Sequence, residues 1–151
     1  MNTFKEPFFT DTHIHPLLIN AFIKEKNNID DEINVVIEEY LKKYVKKMIF
    51  VSTEINDVIE YKNLCEKFSS CFFSAGIHPC DVKKNNIKEL NEITVNYAHE
   101  KNTKLIAIGE IGLDFHHESD EETKKIQTEY FHAQIQLALL LQLPVIIHSR
   151  K

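Results

Sequence analysis

Four short stretches of this 151-residue chain carry side chains able to hold a cation or move a proton. The first is Asp11-Thr12-His13-Ile14-His15-Pro16. In an extended chain residues i and i+2 point the same way, so His13 and His15 share a face and can grip one ion. Two surface histidines ahead of a proline turn is the other reading. The second is Ala75-Gly76-Ile77-His78-Pro79-Cys80-Asp81. Gly76 frees the backbone for a sharp exit, and His78 stands where a ligand or substrate group would lie, unless backbone hydrogen bonds simply hold it in a loop. The third, Ile106-Ala107-Ile108-Gly109-Glu110-Ile111-Gly112-Leu113-Asp114, sets a carboxylate among apolar neighbours. Burying Glu110 there is costly unless it pairs with a lysine or a metal. The fourth, Val145-Ile146-Ile147-His148-Ser149-Arg150, delivers another imidazole and the only arginine of the chain. Together His13, His15, Glu110 and His148 make a nitrogen/oxygen donor set suited to Zn, Mn or Fe.

Each of these stretches ends or follows a short apolar run. The runs at 8–12, 48–53, 71–76, 104–109 and 144–149 are continuous and rich in Ile, Val and Phe, as parallel strands buried on both faces are. Amphipathic segments separate them. Residues 31–47 place Ile33, Val36, Ile37, Tyr40, Leu41, Tyr44 and Val45 at helical spacing. The pattern recurs over 54–68, more weakly over 86–100, and most clearly over 119–142, where Ser119 with Glu122 reads as a capping box and Pro144 as the stop. The order β-α-β-α-β-α-β-α-β predicts an α/β fold with a parallel sheet and right-handed crossovers. The polar groups then all fall at the C-terminal strand ends, where such sheets build their sites. Strands begin about 34 residues apart, so an eight-unit barrel needs about 250 residues and this chain holds about five units. An open doubly wound sheet and five-eighths of a barrel both satisfy that spacing.

Composition narrows the function classes. With 43% apolar and 27% charged residues the chain reads as an ordinary folded domain rather than a disordered one. No apolar run approaches the ~20 residues that cross a bilayer, and the N-terminus lacks the apolar core of a secretory signal. Cys65, Cys71 and Cys80 form no CxxC pair, which fits a reduced compartment, cytoplasm or nucleus, and packing roles. A zinc-deaminase reading through Pro79-Cys80 fails because no cysteine follows at the required spacing. The net charge of −5 leaves no broad basic surface to hold nucleic acid unaided. His99 and His132 read as helix-surface residues, and His116-His117-Glu118 as a polar loop near the rim.

The blocks Asp11-Thr-His-Ile-His15, Gly76-Ile-His-Pro79, Ile108-Gly-Glu-Ile-Gly-Leu-Asp114 and Gln127…Phe131…Gln134…Ala138…Leu143-Pro-Val-Ile-Ile-His-Ser-Arg150 resemble the TatD family of metal-dependent deoxyribonucleases. Order, spacing and strand-end placement match across essentially the whole chain. The resemblance implies a (β/α)8 TIM-type barrel, DNA as substrate, and one or two divalent ions (Zn, Mg or Mn). It further implies that His13 and His15 bind one ion, that Glu110 bridges to a second, and that His148 holds that second ion. His78, Asp114 and Arg150 match positions around the site, with His78, Glu110 and Arg150 in the catalytic set and Arg150 facing a phosphate oxygen.

Family members carry a further metal-binding His on strand six and a proton-handling Asp on strand eight, both beyond Lys151. Residues 1–151 are therefore expected to form a single domain, the N-terminal part of the barrel with its C-terminal units absent. Ile14 and Pro16 stand where the family often has Cys and Leu. Two other functions remain open: a non-catalytic metal-binding homologue, and a wider amidohydrolase-like hydrolase, although that group commonly bridges its ions with a lysine where this chain has Glu110. Oligomeric state is not legible.

Overall fold

The computed structural model describes residues 8–27, 33–43, 45–117 and 120–150. Strand β1 (Phe9–Ile14) leads into helices α1 (Pro16–Asn27) and α2 (Ile33–Lys42). There follow β2 (Val45–Phe50), α3 (Ile55–Lys67), β3 (Cys71–Ala75), α4 (Ile87–Ala98), β4 (Leu105–Asp114), α5 (Glu121–Leu141) and β5 (Val145–Arg150), with a 3₁₀ turn at Pro79–Asp81. All five strands are parallel and lie in the order β1-β2-β3-β4-β5. A doubly wound sheet must reverse its direction of growth at a switch point, and this one never does. With right-handed crossovers every helix then falls on one face. The sheet is the wall of a half-barrel.

The layer between wall and helices is filled by Met48, Phe50, Val58, Tyr61, Phe73 and Leu90, all buried. The Phe50 and Tyr61 rings meet with centroids 5.5 Å apart. A second cluster, Ile108, Ile111, Leu137 and Ala138, joins β4 to α5. Two buried glutamines on α5 pin the strand ends directly. Gln134 accepts from the Ile77 amide (2.7 Å) and donates to the Ile77 carbonyl (3.2 Å). Gln127 accepts from the Asp114 amide (2.9 Å) and donates to its carbonyl (3.2 Å). Seven residues apart is two helical turns, so both amides face the wall. Each gives a peptide group the partners it would otherwise lack.

Several boundaries differ from the sequence expectation. The helix expected over 31–47 ends at Lys42, and Val45–Phe50 is strand. Val45 continues the helical spacing from Leu41, but pairing with Phe9 on β1 claims it for the sheet. Helix α1 has no counterpart in the sequence expectation, which assigns no element between Pro16 and the segment at 31–47. Pro16 instead opens the helix, at the position where a missing N–H costs nothing. Ser119 lies outside the described residues. The cap of α5 is Asp120, which accepts from the Thr123 amide (2.8 Å) and hydroxyl (2.6 Å). Burial on both faces holds for β3 and β4 and fails for β1 and β5, which flank the sheet. Gly76 is needed for close approach rather than for a sharp exit: a Cβ there would stand 2.5 Å from the Gly109 carbonyl carbon.

Two outcomes follow from this packing. Gln134→Leu should destabilise the fold by about 1–3 kcal/mol, because both Ile77 peptide groups stay buried without partners; the shift in urea midpoint reads it. Cys65 and Cys71 lie fully inside the core. Burial pushes the Cys71 thiol up to about 11, and Cys65 higher still. Since only the thiolate attacks, neither should react with iodoacetamide at pH 8 until denaturant is added.

Candidate metal centre

Glu110 is the pivot. The Gly109–Glu110 peptide is cis, and the Glu110 amide donates to the Ser52 carbonyl at 2.8 Å, reaching past β3 to the end of β2. A run of hydroxyls supports it from below. Ser52 Oγ donates to the Ser74 carbonyl (2.5 Å), and Ser74 Oγ donates to the Gly109 carbonyl (2.6 Å). Only 9% of Glu110 is exposed, so its carboxylate has little water to solvate it.

Its two oxygens face different partners. Oε2 lies 3.4 Å from His13 Nε2 and 3.8 Å from His15 Nε2, while Oε1 lies 3.1 Å from His148 Nδ1. His15 Nδ1 donates to the Val51 carbonyl at 2.7 Å. A carbonyl only accepts, so the proton of a neutral His15 is committed there, leaving Nε2 as an acceptor 3.2 Å from His13 Nε2 and 3.8 Å from Glu110 Oε2. His148 repeats the arrangement. Its Nε2 lies 3.1 Å from Asp114 Oδ2, so with the proton on that nitrogen the Nδ1 lone pair meets Oε1. With those tautomers the His15 Nε2 and His148 Nδ1 are acceptors beside the carboxylate, while His13 Nε2, 3.4 Å from Oε2 and 3.2 Å from His15 Nε2, can still donate. Such nitrogens are free to act as donor atoms for a cation, and a His with its other nitrogen held by a carbonyl or carboxylate is the usual oriented metal ligand. The donors fit the group. His13, His15 and Glu110 offer ligand atoms within 4.8 Å of one another, as do His78, Glu110 and His148.

Asp114 anchors this arrangement. It is fully buried and accepts from the His116 and His117 amides (both 3.1 Å), from His117 Nδ1 (2.9 Å) and from His148. Burial works against its charge, but the His117 side chain and amide and His148 outweigh it and hold the carboxyl well below the usual range. His78 sits at the rim with its amide bonded to the Thr53 carbonyl (2.8 Å) and its Nδ1 accepting from the Cys80 amide (3.2 Å). Burial, then the neighbouring His148, lowers its pKa, and the two rings meet edge to face at 4.3 Å. Arg150 is exposed and reaches His117 Nε2 at 3.5 Å.

All the sequence-predicted groups thus converge on one end of the wall. A cleft of about 590 Å³ is lined by His13, His15, His78, Glu110 and His148, with Cys80 beside them. Cys80 is the exception among the cysteines: it lies at the rim rather than in the core. His99 and His132 are exposed on their helices, away from the cleft. Sequence reading gave no role to Gln127, to the serines under Glu110 or to the Val51 carbonyl. The two serines fall at the ends of predicted strands, the only hint available.

A parallel half-barrel with imidazoles and a carboxylate converging at its C-terminal rim defines the class: the metal-dependent hydrolases built on (β/α)8 barrels. The model of the family described as TatD related DNase matches residues 10–151, and the chain belongs to that family. It is 36% identical over 150 residues to an uncharacterised metal-dependent hydrolase of Buchnera aphidicola, covering 95% of this chain and 53% of that protein. It is 28% identical over 134 residues to a 3'-5' ssDNA/RNA exonuclease TatD of Citrobacter koseri, covering 89% and 47%. The crystal structure of a TatD homologue from Escherichia coli superposes with a TM-score of 0.72 at 26% identity, covering 95% of this chain and 51% of that one. The chain spans about half the length of the curated relatives it matches. No described helix is long and apolar enough to cross a membrane.

Glu110→Ala should lower bound divalent metal far more than Glu89→Ala, an exposed carboxylate on α4. Equal metal-to-protein ratios by elemental analysis would remove Glu110 from the donor set.

Proposed function

We propose that residues 1–151 are the N-terminal part of a barrel hydrolase that cleaves DNA phosphodiesters with one or two divalent ions. In this reading His13 and His15 hold one ion, His148 holds the other, and Glu110 bridges them. The observation that carries it is the division of the Glu110 carboxylate, one oxygen toward His13 and His15 and the other toward His148. Bound there, divalent ions supply Lewis-acid activation of water and offset charge growing on a phosphodiester.

The chain's own groups account for the rest. Asp114 keeps the His148 ring turned toward Glu110 by accepting from its Nε2–H. His78 has its Nδ1 occupied as an acceptor, so its proton is on Nε2 and can be donated to a substrate oxygen. Arg150 supplies a planar pair of donors that matches two phosphate oxygens. An acidic chain can bind an anionic polymer when ions provide the local positive charge. The names of the relatives make single-stranded DNA and RNA the first substrates to assay.

The test incubates the full chain with labelled oligonucleotides and Mg²⁺, Mn²⁺ or Zn²⁺. EDTA-sensitive cleavage that His15→Ala and Glu110→Gln abolish supports the reading. Ion binding without cleavage would leave a metal-binding homologue. Arg150→Lys should weaken cleavage about 10-fold or more, since a lysine cannot form the bidentate fork, while bound metal stays unchanged. Loss of metal in that variant would make Arg150 a structural residue instead.

A further inference from the structure

Cys80, Asp114 and His117 form a second donor cluster, of which the reading above uses only Asp114, as the acceptor for His148. A sulfur, a carboxylate oxygen and an imidazole nitrogen from these three lie within 4.8 Å of one another. They come from the 3₁₀ turn after β3, the end of β4 and the turn beyond it. Each position is held by a different restraint. The Cys80 amide is bonded to His78 and follows the buried Pro79. The Asp114 peptide is clamped by Gln127 on both sides. The His117 amide and ring are both fixed to the Asp114 carboxylate.

We propose that Cys80, Asp114 and His117 bind a further divalent cation of thiophilic character, zinc being the natural candidate, beside the Glu110 centre. The chemistry of the donors selects it. The groups around Glu110 offer nitrogen and oxygen only, whereas this cluster adds sulfur, which favours zinc or cobalt over magnesium and manganese. A thiolate and a carboxylate together neutralise a 2+ ion. That matters because the Arg150 guanidinium lies 3.5 Å from His117 Nε2 and repels any cation whose charge is not offset. A hard ion that does not recruit the thiolate gains only one anionic ligand against that repulsion. Cys80 differs from the other two thiols in standing at the cleft, where an ion can reach it.

Binding breaks the S–H bond of Cys80 and releases that proton to solvent. The His117 proton moves from Nδ1 to Nε2 as the ion replaces it at Asp114, so no oxidant or reductant is involved. The shift also removes the acceptor that Arg150 uses on His117. Filling this site therefore couples to the position of Arg150.

The probe is Co²⁺ added to the full chain, followed by near-ultraviolet absorption and by elemental analysis. The expected result is a thiolate-to-cobalt charge-transfer band that saturates and is displaced by Zn²⁺ but not by Mg²⁺. Cys80→Ala and Cys80→Ser should both abolish the band and lose about one equivalent of ion. His117→Ala should weaken binding about tenfold or more, and His15→Ala should leave the band in place. Absence of the band in the unaltered chain overturns the proposal, as does a band that survives in the folded Cys80→Ser variant. The readout does not depend on cleavage, so it stands or falls separately from the nuclease reading.

Discussion

A nearly buried carboxylate ringed by imidazoles needs proton donors or a cation beside it, and the rest of this site is arranged around that constraint. Glu110 has 9% of its surface exposed and faces imidazole nitrogens on both oxygens. Nothing in the apolar strand around it compensates the charge. The surroundings instead fix its direction: a backbone bond to Ser52, two serine hydroxyls in series beneath it, and glycine contacts too tight for any Cβ. At Gly112, one turn of the strand further on, a methyl group would collide with the His148 carbonyl. The β4–β5 approach that brings His148 to Glu110 thus depends on the absence of a side chain there.

Asp114 is the second fixed charge, and it differs in kind. Where the Glu110 carboxylate meets only imidazole rings, Asp114 meets backbone amides as well, with four donors from His116, His117 and His148. It is satisfied without an ion, which is why it stays ionised in a buried place. Its role is to turn imidazoles. Helix α5 contributes by holding the Asp114 and Ile77 peptides through two glutamine amides, so the long helix sets the height of both rim segments. A buried peptide group left without a partner costs about 1–3 kcal/mol, comparable to losing a large core side chain. The outer helix and the inner rim are therefore one mechanical unit.

The donor residues themselves were legible in the sequence, because each combines a chemically demanding side chain with an apolar strand that gives it no local reason to be there. His13 and His15 share a face by strand periodicity alone. Glu110 stands out by its apolar flanks, and His148 with Arg150 by ending the last strand. The supporting layer was not legible. Gln127 and Gln134 stand in a block that resembles the family, but nothing in the sequence assigns them a role, since a glutamine on a helix is ordinarily solvated. The Val51 carbonyl that sets the His15 tautomer has no side-chain signature at all. Helix α1 was missed because Pro16 reads equally as a turn and as a first helical residue. Val45 was misassigned because helical spacing does not exclude a strand.

By itself the sequence determined five parallel strands with most of the helices between them, and which side chains must be paired or solvated by an ion. Those follow from local periodicity and from the cost of burying charge, which are properties of short segments. It left open whether the sheet reverses or grows in one direction, since 34-residue spacing suits both. The tertiary structure decided that, by placing β1 through β5 in sequential order. It also decided which oxygen of Glu110 faces which histidine, and which nitrogen of each ring is free. Those depend on hydrogen bonds between residues tens of positions apart, such as His15 with Val51 and His148 with Asp114. Such contacts form only when the whole wall closes up, so no segment read alone can carry them.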